Sequence, residues 1–203
     1  MRFYALFLFL IALVSGCTST SQVIRPAPKE GIPVVGLNVL FSISPINSVQ
    51  TSGTRTPTTT RNAVANDQTK PRVQTEKLRD QIGTSLIPQL QAKGIASNYA
   101  SVQIIPGIAP TQLNKLFPAD YDTRHTLIIT PITEREGCYG GSCATMFSLS
   151  LSLRSPKENK EIWNLRLHQG SGTAADWIPG RNDQLINDLA KSVLQVVVPN
   201  LVM

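Results

Sequence analysis

The sequence is poor in the residues that carry most protein chemistry. Two histidines, His125 and His168, and three cysteines, Cys17, Cys138 and Cys143, are all of those types in 203 residues. No phosphate-binding loop, G-x-G-x-x-G fingerprint or H-E-x-x-H pair occurs, so the common nucleotide and zinc-protease chemistries have no foothold. Ser171 stands in Gly170-Ser171-Gly172, without the G-x-S-x-G of a hydrolase elbow. The formal charge is +6, yet the basic residues are scattered and no Lys/Arg run marks nucleic-acid binding. A basic surface of this kind could meet anionic lipid or glycan, or be an ordinary solvated face. No internal repeat is visible. The one apolar run, Phe3 to Val14, is shorter than the roughly 20 residues a spanning helix needs.

That run has another use. It follows a single positive charge, Arg2, and this layout is a secretory signal. It ends in Val14-Ser15-Gly16-Cys17, which resembles the lipobox of bacterial lipoproteins. In that family the cysteine sulfur takes a diacylglycerol, the signal is cut before it, and the new amino group is acylated. The resemblance implies lipidation of Cys17 and, with Thr18 rather than Asp following it, transfer to the outer membrane with the folded part in the periplasm. An ordinary signal peptide with an incidental cysteine is the alternative. Several acyl chains anchor far more firmly than one, at about 0.8 kcal/mol per buried methylene.

Removing residues 1–16 from 203 leaves 187, the length of one domain. Cys138 and Cys143 remain as a pair in Gly137-Cys138-Tyr139-Gly140-Gly141-Ser142-Cys143. In an oxidising compartment such neighbours are expected to form a disulfide, since the intervening glycines allow a tight turn. A metal site and free thiols are the other readings.

Residues 17–32 read as the lipidated cysteine and a polar, proline-containing tether. Residues 33–203 read as a single periplasmic domain. Pro33 to Phe41 reads as a buried strand, and residues 43–72, rich in Ser, Thr, Asn and Pro, as a mobile loop. Leu78, Ile82, Leu86 and Leu90 recur every four residues, which predicts a helix over 73–93, stopped by Gly94 and kinked at Pro88. Tyr99 to Ile105 predicts a strand, Thr111 to Phe117 a helical turn, and Thr126 to Glu134 a strand whose Pro131 marks an edge or bulge. Thr145 to Arg154 alternates, with Phe147, Leu149, Leu151 and Leu153 on one face and Ser148, Ser150 and Ser152 on the other. After the turn 155–160, Glu161 to His168 returns with Trp163, Leu165 and Leu167 facing the core. A last helix is capped by Asn182 or Asp183 and carries Leu185, Leu189, Val193, Val196 and Val197. The expected fold class is α+β, with a mostly antiparallel sheet of about 4–5 strands and two helices packed on one face.

The search for chemistry within this frame yields little. His168 shares its strand face with Asn164 and Arg166, and His125 sits in a charged lead-in; both read as surface groups. Asp120, Asp122, Glu134 and Glu136 lie near strand ends with no spacing that makes an acid/base couple. Trp163 reads as core. Trp177 either closes the end of the sheet or is an exposed anchor. No cofactor or metal ligand set is expected.

The strand-turn-strand Leu149 to Leu167 (LSLSLRSPKENKEIWNLRL) carries a second resemblance. It is similar to small outer-membrane lipoproteins with a compact αβ periplasmic domain, among them auxiliary lipoproteins of lipopolysaccharide assembly, peptidoglycan synthesis and envelope transport. The resemblance implies a non-catalytic accessory protein, held by its lipid and engaging an envelope protein partner. An envelope hydrolase acting through Asp120 or Glu134, or a small-molecule-binding lipoprotein, is the alternative.

Overall fold

The computed structural model describes residues 19–43, 47–52, 73–103, 115–118, 123–139, 142–156, 158–169 and 182–199. Cys17, Asp120, Asp122, Ser171, Trp177 and the 53–72 stretch lie outside them. Thr20–Arg25 forms β1, Ile32–Val34 β2, Gly36–Ile43 β3, Asn47–Ser52 β4 and Ala96–Gln103 β5. His125–Tyr139 forms β6, Ser142–Arg154 β7, Glu161–His168 β8 and Val197–Pro199 β9.

The sheet is built around β3. Its sequence, GLNVLFSI, is almost continuously apolar, as a strand covered on both faces must be. It lies between β5 and β6 and runs parallel to both. From β6 the chain turns back twice, so β6, β7 and β8 form an antiparallel meander. β1 adds itself antiparallel to β8, giving the order β1-β8-β7-β6-β3-β5, with β4 parallel to the far half of β6. A small parallel pair, β2 with β9, stands apart.

The sheet thus has seven strands and is mixed, where a mostly antiparallel sheet of fewer strands was expected. The physical reason lies in the order strand, helix, strand over residues 36–103. A helical crossover returns the chain parallel to its starting strand. Two further strands lie in stretches expected to be tether and loop. β1 occupies the expected tether, and all six of its residues are exposed. β4 occupies part of the expected loop. Main-chain pairing to an open edge, rather than side-chain burial, accounts for β1.

The first helical region comprises α1 (Val73–Gln81), a π-helical turn (Ile82–Leu86) and α2 (Ile87–Gln91). Leu78, Ile82, Leu86 and Leu90 are all fully buried. A strict four-residue spacing overshoots the 3.6-residue turn, so an unbroken α-helix would swing Leu90 about 120° from Leu78. The wider π turn takes that drift back and keeps the stripe on the sheet. It sits just before Pro88, which has no N–H to give the preceding turn. Thr84 Oγ donates to the carbonyls of Asp80 (2.9 Å) and Gln81 (3.3 Å). The helix then stops as expected. Gly94 takes a φ of +77°, and the Ile95 N–H returns to the Leu90 carbonyl at 3.1 Å.

α3 (Asn182–Leu194) buries Leu185, Ile186, Leu189, Ala190 and Val193. It ends before Val197, which is buried in β9 instead of extending the helical stripe. Both helical regions pack into one core cluster with the sheet face bearing Val39, Phe41, Leu127, Ile129, Leu151 and Trp163. The opposite face is divided. Leu40 and Ile128 lie under Phe117, with Ala100 and Val102 beside them. Across β7 and β8 that face carries Ser148, Ser150 and Ser152 against His168, Arg166 and Asn164.

Candidate functional site

The two histidines lie on opposite faces of the sheet. His125 opens β6 beside Leu37, on the core side. It is half-buried rather than a surface group, and its Nδ1 is buried without a hydrogen-bond partner among the described residues. Burial disfavours the imidazolium and lowers its pKa from the ordinary histidine value. His168 is on the other face, where its Nδ1 lies 2.9 Å from Ser148 Oγ. A hydroxyl and an imidazole in contact are two parts of a nucleophile pair; a third group orienting the ring is the usual complement. No described carboxylate fills that place. No cluster of three or more His, Cys, Asp or Glu suited to a metal occurs among the described residues.

Glu134 and Glu136 are two apart on β6, opposite Phe147 and Thr145 of β7. A tighter polar cluster surrounds Glu161 at the other end of the meander. Its Oε2 accepts from Ser152 Oγ at 2.7 Å and from Asn164 Nδ2 at 2.8 Å. The Arg25 guanidinium donates to its main-chain carbonyl, which ties β1 to β8. Arg154 Nη1 reaches the Asn159 carbonyl at 3.2 Å, across a turn in which Asn159 adopts a φ of +51°. These contacts close the β7–β8 hairpin.

The end of the sheet where β1 begins is built differently. Thr20 is level with His168, and His168 with Ser148. β8 stops there, capped as Gln169 N–H donates to the Phe147 carbonyl (3.0 Å) and Phe147 N–H to Gln169 Oε1 (3.1 Å). β7 and β6 run on together, with β4 along the outer side of β6. The result is a three-stranded arm, Asn47–Ser52, Thr133–Tyr139 and Ser142–Phe147, beyond the body of the sheet. A register shift between Pro131 and Thr133 marks its root, the bulge that Pro131 suggested. Near its end Cys138 and Cys143 are direct partners across the ladder, and Tyr139 pairs with Ser142.

Just before β1, the Ser19 N–H donates to Asp188 Oδ2 of α3 at 3.3 Å. Only Thr18 separates Ser19 from Cys17, so Cys17 is covalently close to the end of the sheet that bears the arm. The sequence marks the cysteine and the glycine turn but gives no sign that they belong to one end. That follows from the pairing of β1, whose exposed residues show no amphipathic pattern.

No protein-family model and no curated protein matches the sequence. Among solved structures the chain is similar to the PelC dodecamer from Paraburkholderia phytofirmans, at 16% identity and a TM-score of 0.48, covering 90% of this chain and 100% of that one. It is similar to lipoprotein GNA1162 from Neisseria meningitidis, at 14% identity and a TM-score of 0.41, over 77% and 97%. Protein XCC0632 from Xanthomonas campestris, of the DUF330 family, matches at 13% identity and a TM-score of 0.39, over 85% and 92%. Likeness of this size carries no statement about function.

Proposed function

We propose that the chain is a lipid-anchored periplasmic accessory protein of the bacterial outer membrane, non-catalytic, serving an envelope assembly or transport complex through a protein partner. The observation that carries this reading is the lipobox cysteine three residues before an ordered edge strand. An apolar leader, a small residue and Cys17 lead directly into β1, so the domain is joined to its anchor with almost no slack. The reading includes a disulfide between Cys138 and Cys143. Residues opposite each other in an antiparallel pair stand about 4.5–5.5 Å apart at Cα, within the roughly 4.4–6.8 Å that disulfides span. Periplasmic oxidation supplies the rest.

Mass spectrometry of the protein extracted from outer-membrane fractions tests the anchor. Cys17 should carry a diacylglycerol thioether and an acylated amino group, and Cys17→Ala should leave the protein unlipidated. In-cell crosslinking then tests the accessory role. One dominant envelope protein, captured by the wild type and lost in Cys17→Ala, is the expected result. An unmodified Cys17 would sink the reading, and capture of abundant neighbours alone would remove the partner from it.

A further inference from the structure

We infer that the end of the β6–β7 arm is a bilayer-contacting element, seated at the headgroup level of the leaflet that holds the lipids of Cys17. The inference rests on the lipidation of Cys17 and adds to it a second, protein-borne membrane contact with a defined orientation.

The geometry comes from strand register. Thr20, His168 and Ser148 are level across β1, β8 and β7. The lipid attachment point lies three residues before Thr20, which at about 3.3–3.6 Å per residue gives a reach of no more than about 11 Å. From Ser148 to Ser142 the arm continues for six residues, up to about 20 Å at ~3.3 Å each. The arm leaves the same end of the sheet and extends further than the anchor can. Acyl chains buried in the leaflet therefore bring the arm's end to the headgroup layer, whose depth is about 5–8 Å on each side of the hydrocarbon. The bond from Ser19 to Asp188 holds the start of β1 against α3.

The chemistry of the arm suits that place. Its root carries Glu134, Arg135 and Glu136, but from Gly137 through Leu153 the sequence has no charged residue. Tyr139, at the last ladder position of β6, is of the type enriched where one end of a ring is apolar and the other wet. The strands of the arm pair with each other, and the remaining edge groups can be served by interfacial water, which the hydrocarbon core does not offer. An uncharged contact with lipid is therefore expected, rather than an electrostatic one.

Tryptophan quenching by brominated phosphatidylcholine tests the inference on the full mature lipoprotein in vesicles. Two reporters at the arm, Tyr139→Trp and Ser142→Trp, are compared with Pro156→Trp at the opposite end of β7, each read against the wild-type signal of Trp163 and Trp177. The second arm reporter guards against a variant that fails to fold, which circular dichroism would reveal. Quenching at the arm should exceed that at position 156 by about twofold or more, as for a residue at the interface against one far from it. It should hold between about 0.1 and 1 M salt, where the Debye length falls from about 10 to 3 Å. Lipidated protein whose arm reporters are quenched no more than Pro156→Trp would overturn the inference while leaving the anchor intact. So would loss of quenching at high salt, or protection of the arm by a captured protein. Absence of lipid on Cys17 would remove both readings, and the mass of the same sample shows which has failed.

Discussion

Gly83 and Tyr99 show how closely single groups are fitted here. The Tyr99 hydroxyl donates to the Arg79 carbonyl at 2.7 Å, and burial pushes the phenol's pKa well above its ordinary value. The ring lies against the π turn so closely that a Cβ on Gly83 would meet Tyr99 Cε1 at 2.8 Å. Two effects oppose each other in Gly83→Ala. Helix propensity favours alanine by about 1 kcal/mol, while overpacking costs about 1–3 kcal/mol. The ring is pinned by its hydrogen bond and cannot yield cheaply, so the variant should unfold at lower urea concentration than the wild type. In a Tyr99→Ala background the same change should become neutral or stabilising. A loss of equal size in both backgrounds would show that the ring is not the cause. His125 gives a pH dependence. Its folded-state pKa lies below the ordinary value of about 6.5, so the unfolded chain binds the extra proton first. Stability present at neutral pH should therefore fall as pH drops from about 6.5 toward the folded pKa. Urea midpoints at neutral and mildly acidic pH should differ less for His125→Gln than for the wild type. Equal differences would assign the acid sensitivity to other groups.

The helical region is the element whose irregularity has the clearest cause. Deleting Ser85 would leave buried leucines and isoleucine at spacings of four, three and four, the natural stripe of a regular α-helix. The π turn then has no drift to correct. The deleted protein should fold, and lose less stability than truncation of Leu86 to alanine, a change of about 2–5 kcal/mol for a buried leucine. Helical circular dichroism and urea unfolding would measure this, and an unfolded Ser85 deletion would show that the π turn is required for its own sake. The apolar stripe was legible because burial selects side chains; the π turn was hidden in its spacing, four where 3.6 was due. The alternation of β7 and the inward Trp163 were legible for the same reason. β1 and β4 were not, because a strand added to an edge can be held by main-chain bonds, which every residue type supplies. Parallel pairing of β3 was missed: a mostly antiparallel sheet was expected, although a continuous apolar run is what a strand buried on both faces requires. The arm could not be read from Cys138 and Cys143 alone, since their turn looks the same whether it caps a short loop or a long hairpin.

At the scale of the whole molecule, distance rather than composition decides what the domain can touch. On the proposed anchoring, the arm would meet the membrane only because the chain between Cys17 and β1 is too short to let the sheet rise. Ten Gly/Ser residues inserted between Thr18 and Ser19 would leave Val14 to Cys17, the Ser19 contact and β1 intact while adding a flexible span of about 17 Å root-mean-square. That exceeds the roughly 10 Å by which the arm outreaches the anchor. The insertion should therefore keep the protein lipidated and bound to vesicles, yet lower quenching at the Tyr139→Trp reporter toward that of Pro156→Trp. If quenching at the arm persists despite the slack, the arm binds lipid with its own affinity and the short connection only hastens the contact. If it disappears, the connection itself sets the orientation, and the polar face of β7 and β8 is then held upright beside the membrane for a partner in the periplasm.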